Sequence, residues 1–299
     1  MIIEIDNLHK AFGRHEALRG LTLGVPEGSA YALIGANGAG KTTTIKTLMN
    51  IVRPTRGVTR VLGVDSRRLA VPQLQRIGYV SENQDLPARM TVAQYLGYLR
   101  PFYPSWDAQL ERALLAELRL PPERRIGDLS HGMRMKITLA CALPFHPQVL
   151  ILDEPFSGLD PLVRDEFMER LLQQAGEMTI LISSHELSEI EGVTTHVGFI
   201  DQGRLLFQES MSDLSDRFRQ VRITLESPGP VPPRAPKDWL QPALAGNVLS
   251  FVDARFAEQS LAENVAALFK GVKNIEVQPI ALREIFTTLA RESRGGGAS

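Results

Sequence analysis

Residues 30–44 read AYALIGANGAGKTTT. The stretch opens on an apolar run, Tyr31-Ala32-Leu33-Ile34, with the character of a short buried strand. It closes on Lys41-Thr42-Thr43-Thr44, which Ile45 and Leu48 continue at helical spacing. Between them stands Gly35-Ala36-Asn37-Gly38-Ala39-Gly40-Lys41-Thr42, the phosphate-binding P-loop spacing in the strand–loop–helix setting it requires. Glycines allow positive-φ turns and a close approach of backbone to an anion. The N–H groups of the loop and of the first helical turn then point at the phosphates. Lys41 adds a point charge for the β/γ oxygens, and the Thr42 hydroxyl suits Mg²⁺. The candidate nucleotide ligands are thus Gly35, Ala36, Asn37, Gly38, Ala39, Gly40, Lys41, Thr42 and Thr43.

A second stretch answers the first. Residues 149–154, VLILDE, put four apolar residues ahead of two carboxylates, as in a fully buried parallel strand with an acidic tip. Buried carboxylates need something positive to meet them. Beside a P-loop that partner is Mg²⁺, with Asp153 holding it, while Glu154 stands next to the γ-phosphate to orient and polarise water. The pattern repeats at two more strands. Residues 77–80 read as a buried strand followed by a polar loop that carries Glu82, and residues 178–182 as another with His185 just beyond its tip. Ligands in open α/β sheets gather at the C-terminal ends of strands, so both loops can reach the nucleotide. Phe12, expected on a loop between strands at residues 2–5 and 21–25, can either stack on the adenine ring or pack under a hairpin.

Composition narrows the classes. The 299 residues carry 33 Lys and Arg against 34 Asp and Glu, a formal net charge of −1, so general attraction to nucleic acid is not expected. Cys141 is the only cysteine, which excludes an intramolecular disulfide and a cysteine zinc cluster. No apolar run approaches the ~18 residues of a membrane span, and no signal-peptide core opens the chain, so a cytoplasmic location is expected and any membrane role needs a partner.

The expected fold class is α/β: a P-loop core with an antiparallel β layer and a helical subdomain, plus a small α/β extension. Residues 1–213 form the nucleotide-binding domain. Its helical insertion covers about residues 91–145, where apolar residues recur at helical spacing between prolines 101, 104, 121 and 122. Within it Ser130 is a plausible N-cap. Residues 157–161 are a turn before a helix. In residues 214–299 we expect strands at 221–225, 248–252 and 275–277, helices at 261–269 and 282–290, a proline-rich connector at 228–236 and a disordered tail from Arg294.

With these residues in hand, the first 213 residues resemble the ATP-binding subunits of ABC transporters. The motifs follow in that family's order: residues 35–43 as Walker A, Glu82 at the Q-loop position, residues 129–133 as the signature, 149–154 as Walker B, 157–160 as the D-loop and His185 as the switch histidine. Phe12 falls where the family's adenine-stacking aromatic lies. Residues 281–286, ALREIF, resemble the extension of the ABC-2-type exporter subgroup. Two departures stand out. The signature is Leu-Ser-His-Gly-Met in place of Leu-Ser-Gly-Gly-Gln, and Glu82 replaces the usual glutamine, unless Gln84 takes that role. The resemblance implies ATP hydrolysis with Mg²⁺ on Thr42, Asp153 and Glu82, and catalysis by Lys41, Glu154 and His185. It implies head-to-tail pairing with a second copy or a related ATP-binding subunit, whose Ser130, Gly132 and Asp160 complete the site in trans. It further implies a transmembrane permease holding the protein on the inner face of the cell membrane. A soluble ABC ATPase acting on a nucleic-acid or protein complex is the alternative, though such relatives commonly carry two cassettes or long coiled-coil insertions. A nucleotide sensor would need neither Glu154 nor His185.

Overall fold

The glycine-rich loop leaves a strand whose five residues, Ala30–Ile34, are all buried. The computed structural model describes residues 1–173, 178–186, 190–227 and 235–295. They form two compact units, Met1–Gln208 and Glu209–Ser299, so the division falls before the boundary at 213 expected from sequence.

The first unit runs β1 (Ile3–Phe12), β2 (His15–Val25), β3 (Ala30–Ile34), α1 (Lys41–Leu48), β4 (Arg56–Val61), β5 (Val64–Asp65), α2 (Val71–Leu74), β6 (Ile77–Ser81), α3 (Val92–Leu99), α4 (Ala108–Glu117), α5 (His131–Ala142), β7 (Val149–Asp153), α6 (Pro161–Gln173), β8 (Thr179–Ser184), β9 (His196–Asp201) and β10 (Arg204–Ser210). Six strands form one sheet in the order β10-β9-β3-β8-β7-β6, and four form an antiparallel sheet in the order β2-β1-β4-β5. The central strands β3, β7 and β8 are buried along their whole length and pair in parallel. That explains their unbroken apolar sequences, because a strand covered on both faces has no polar side to alternate with. Parallel pairing also brings the C-terminal tips of β6, β7, β8, β3 and β9 to one edge, where Ile34 lies opposite Ser184 and Asp153 opposite Ser183. The candidate residues lie along that edge.

Helices α3, α4 and α5 make up the helical insertion, and each begins on a side chain able to cap it. Thr91 and Gln94 exchange hydrogen bonds at the start of α3. Asp107 accepts from the Gln109 and Leu110 amides, and Ser130 from the Met133 amide. Glu111 of α4 is buried and takes a two-pronged contact from Arg100, at 2.9 and 2.6 Å, and a third bond from Trp106 Nε1 at 2.8 Å.

The second unit begins within β10 and continues through α7 (Met211–Arg217), β11 (Arg219–Leu225), β12 (Trp239–Ala245), β13 (Val248–Asp253), α8 (Glu258–Leu268), β14 (Val272–Pro279) and α9 (Leu282–Gly295). Its sheet runs β12-β13-β11-β14, with an apolar core of Val221, Ile223, Trp239, Phe251, Leu261 and Val265 among others.

Several expectations need correcting. Phe12 is the last residue of β1, paired with His15, and does not lie on a loop. Strand β12 was not foreseen, because Pro242 breaks its apolar pattern; at a sheet edge, with a register shift between Leu240 and Ala243, the missing N–H is tolerated. Arg294 and Gly295 belong to α9 and not to a tail, while residues 296–299 lie outside the described residues. So does most of the proline-rich connector, residues 228–234.

Candidate functional site

The loop after β3 folds back on its own helix. Gly40, at φ 111°, precedes α1, and a Cβ there would stand 2.9 Å from the Ala17 carbonyl oxygen; one on Gly35 would stand 2.2 Å from that of Ile200. Both glycines are therefore required by the neighbouring backbone alone. The Lys41 side chain, 5% exposed, turns into the loop and donates to the Gly35 and Ala36 carbonyls at 2.6 and 3.2 Å. It also pairs with Glu154 Oε1 at 3.0 Å.

Glu154 follows β7 with its backbone in the left-handed region, φ 51°, uncommon for a residue with a side chain. That turn carries its carboxylate across the tip of the sheet, where the second oxygen, Oε2, meets His185 Nδ1 at 2.9 Å. Lys41, Glu154 and His185, on three separate elements, thus form one row of side chains in contact. Phe12, His15, Ala17, Asn37, Gly38, Gly40, Thr42, Thr43, Glu82, Lys41 and Glu154 line a cleft of about 350 Å³. Phe12 is 49% exposed there, with the Lys10 ammonium 4.6 Å from its ring centre, so packing beneath the hairpin is ruled out.

Asp153 is 3% exposed. Its Oδ1 accepts from the Thr42 hydroxyl at 3.0 Å and from Ser183 at 2.9 Å. Burial pushes its carboxyl up, against the pull of these two bonds, and the charge of Glu154 adds to the rise. Its hydrogen-bond partners are two neutral hydroxyls, and the Lys46 charge also opposes the rise. Among the described residues no group of three or more His, Cys, Asp or Glu side chains could hold a metal alone. The Thr42 hydroxyl and Asp153 carboxylate, 3.0 Å apart, with the Glu82 carboxylate on the cleft wall, are oxygen donors of the kind Mg²⁺ takes, since it binds through one or two carboxylates and completes its shell with phosphate oxygens and water. Glu82 lines the cleft and Gln84 does not, although Gln84 Oε1 is buried without a hydrogen-bond partner.

The residues expected to act in trans do not line this cleft. Ser130 caps α5, and Asp160 Oδ1 accepts from the Val163 amide at 3.1 Å. Ser130 retains a hydroxyl proton to donate elsewhere. Sequence reasoning missed the contacts of two residues. His131, the departure from the usual signature, places Nε2 3.0 Å from the Ser157 carbonyl and so ties the signature turn to the turn before α6. Ser183, at the tip of β8 beyond the apolar run, gave no sign of its contacts with Asp153 and Glu154; only the parallel register could have revealed them.

A family profile described as ABC transporter matches residues 18–157. The chain is 33% identical over 224 residues to the bacitracin transport ATP-binding protein BcrA of Enterococcus faecalis, covering 73% of this chain and 72% of the relative. It is 36% identical over 209 residues to the Nod factor export ATP-binding protein I of Burkholderia orbicola, covering 68% of each. A solved structure of the ATP-binding subunit of an ABC transporter superposes with a TM-score of 0.66 at 30% identity, covering 72% of this chain and 92% of that one.

Proposed function

The chain belongs to the ABC transporter family of ATP-binding proteins, which hydrolyse ATP, and from that membership we propose that it powers an exporter. The observation that carries the catalytic reading is the position of Glu154. Its carboxylate is shared between the P-loop lysine and a histidine, at the mouth of a cleft walled by the glycine-rich loop. Phe12 offers a ring for the adenine, and the backbone N–H groups of residues 35–43 cradle the phosphates. Lys41 exchanges Glu154 for the β/γ oxygens. Glu154, released from Lys41 but still within reach of His185, then orients and polarises the attacking water. His185 steadies the γ-phosphate. Thr42, Asp153 and Glu82 would hold Mg²⁺, which supplies neutralisation of the charge on the phosphoryl oxygens.

Two copies pair head to tail, each offering Ser130, Gly132 and Asp160 to the other's nucleotide. This reading is supported by where those residues lie: Ser130 and Asp160 accept from amides at the starts of α5 and α6, Gly132 is in the first turn of α5, and none of the three lines the cleft. ATP makes contacts to both copies only while its γ-phosphate is present, so hydrolysis removes a differential contact and the pair opens.

A permease partner is supported by the surface of the first unit. Val71, Leu74, Leu99, Phe102 and Tyr103 line an apolar groove of about 220 Å³, and Val71 and Phe102 are 63% and 53% exposed. Large exposed apolar side chains gathered in one place mark an interaction surface. No described helix is long and apolar enough to cross a membrane. The permease, in this reading, places the protein on the inner face of the membrane, and export follows the names of the relatives. Purification from detergent-solubilised membranes should recover a polytopic membrane protein. Val71→Glu combined with Phe102→Glu should abolish that recovery while phosphate release by the isolated chain persists. Recovery of ribosomal or DNA-bound complexes alone would overturn the transporter reading.

A further inference from the structure

The tip of β8 holds a hydroxyl that none of the roles above uses. Ser183 is fully buried, and the parallel register sets it opposite Asp153. Its Oγ donates to Asp153 Oδ1 at 2.9 Å and accepts from the Glu154 amide at 3.0 Å. Asp153 Oδ1 in turn accepts from Thr42 Oγ1 at 3.0 Å. One continuous chain of hydrogen bonds therefore links the P-loop helix, the acidic strand tip and the backbone of Glu154. The Glu154 backbone needs such support, since it holds a left-handed conformation at φ 51° that ordinary side chains disfavour. Strained backbone persists only where its surroundings over-determine it. Two residues further along the same strand exit, His185 grips the other end of the same glutamate.

We propose that Ser183 is a positioning residue for ATP hydrolysis, fixing the direction of Asp153 and the left-handed backbone of Glu154 with a single hydroxyl. Fully buried, with its bonds made to Asp153 and the Glu154 amide, it acts through those two residues. The inference rests on the assignment of Glu154 to the hydrolytic step. Removing the hydroxyl leaves the half-buried Glu154 amide without its acceptor, which frees that residue to relax and moves its carboxylate out of line. Misplacements of about 1 Å in a positioned group lower rates by about a hundredfold.

The test uses the full-length chain and its Ser183→Ala variant. Expected is a kcat lowered ~10- to 100-fold, with the KM for ATP and the nucleotide affinity within about twofold of wild type. In nucleotide-free protein, hydrogen exchange at the Glu154 amide should rise at least about tenfold, since it has lost its bonded acceptor. Ser183→Cys keeps a weaker donor and acceptor of similar shape and should fall between serine and alanine in both readouts. It also serves if the alanine variant does not fold. A kcat within twofold of wild type, or a lowered kcat with unchanged amide exchange, overturns the proposal. So does a cysteine variant no better than alanine. Wild-type protein without ATPase activity, or Glu154→Gln with full activity, would instead sink the assignment of Glu154, and the two failures are told apart by running all four proteins together.

Discussion

Replacing Glu154 by glutamine removes one negative charge and almost no volume. In the nucleotide-free protein that charge is held by Lys41 at 3.0 Å and His185 at 2.9 Å, with Glu154 14% exposed and Lys41 5%. A hydrogen bond to a charged group is worth about 1.5–3 kcal/mol. The amide keeps a carbonyl for one partner, so a net loss of about 2 kcal/mol is expected for the nucleotide-free form. For a unit of this size each kcal/mol shifts Tm by about 2–4 °C, so Tm should fall about 4–8 °C. With ATP the sign reverses. Lys41 no longer has to give up a carboxylate, and no negative charge faces the γ-phosphate. A tenfold gain in affinity adds about 1.4 kcal/mol to the stabilisation by saturating ATP. Turnover should drop by about 10²–10⁴, the usual contribution of a positioned acid or base. Thermal unfolding with and without Mg-ATP, together with phosphate release, measures all three. A variant that hydrolyses ATP like wild type, or gains less from ATP than wild type does, would refute the reasoning.

Three further outcomes follow from other parts of the molecule. In a magnesium titration of ATPase activity, Glu82→Ala should raise the concentration needed for half-maximal rate and Gln84→Ala should not; the reverse pattern would assign the metal contact to Gln84. Phe12→Ala should weaken nucleotide binding by about 1–3 kcal/mol, the range for one aromatic ring stacked on one base, with kcat at saturating ATP little changed. Arg100→Ala should cost about 1.5–3 kcal/mol, the worth of charge-assisted bonds to the buried Glu111 carboxylate from a half-exposed guanidinium, measured by denaturant unfolding. Burial raises the Glu111 pKa, but the bonds from Arg100 and Trp106 outweigh it and hold the carboxyl below its ordinary value. Its stabilising contribution is therefore present above the unfolded pKa, about 4.3, and lost as pH falls through the lower folded value. The wild-type and Arg100→Ala stabilities should converge across that acid window.

How far the sequence could be read depended on whether a residue's role is local. The P-loop and the strand tip at Asp153 and Glu154 were legible because spacing and an apolar run specify them without reference to distant elements. The order of the parallel strands, and with it the pairing of Asp153 with Ser183, is a property of register, which no single stretch carries. The same holds for Glu154: its place in line after Asp153 was plain, but the left-handed turn that aims it at Lys41 and His185 was not. His131 looked like a departure from a motif until its bond to the Ser157 carbonyl gave it a structural task. Strand β12 was hidden by Pro242, whose missing N–H matters in the middle of a sheet and not at its edge.

The proposed composite site, built from two copies, is tested most directly by complementation. A chain carrying Lys41→Ala has lost its own P-loop cation but keeps Ser130, Gly132 and Asp160. A chain carrying Ser130→Arg keeps the P-loop and blocks the face it offers to its partner. Each alone should release almost no phosphate. Mixed in equal amounts, half of the pairs combine the two variants, and each such pair holds one intact composite site. Phosphate release should then recover to about a quarter of the wild-type rate. A mixture no more active than its separate components would contradict the composite site.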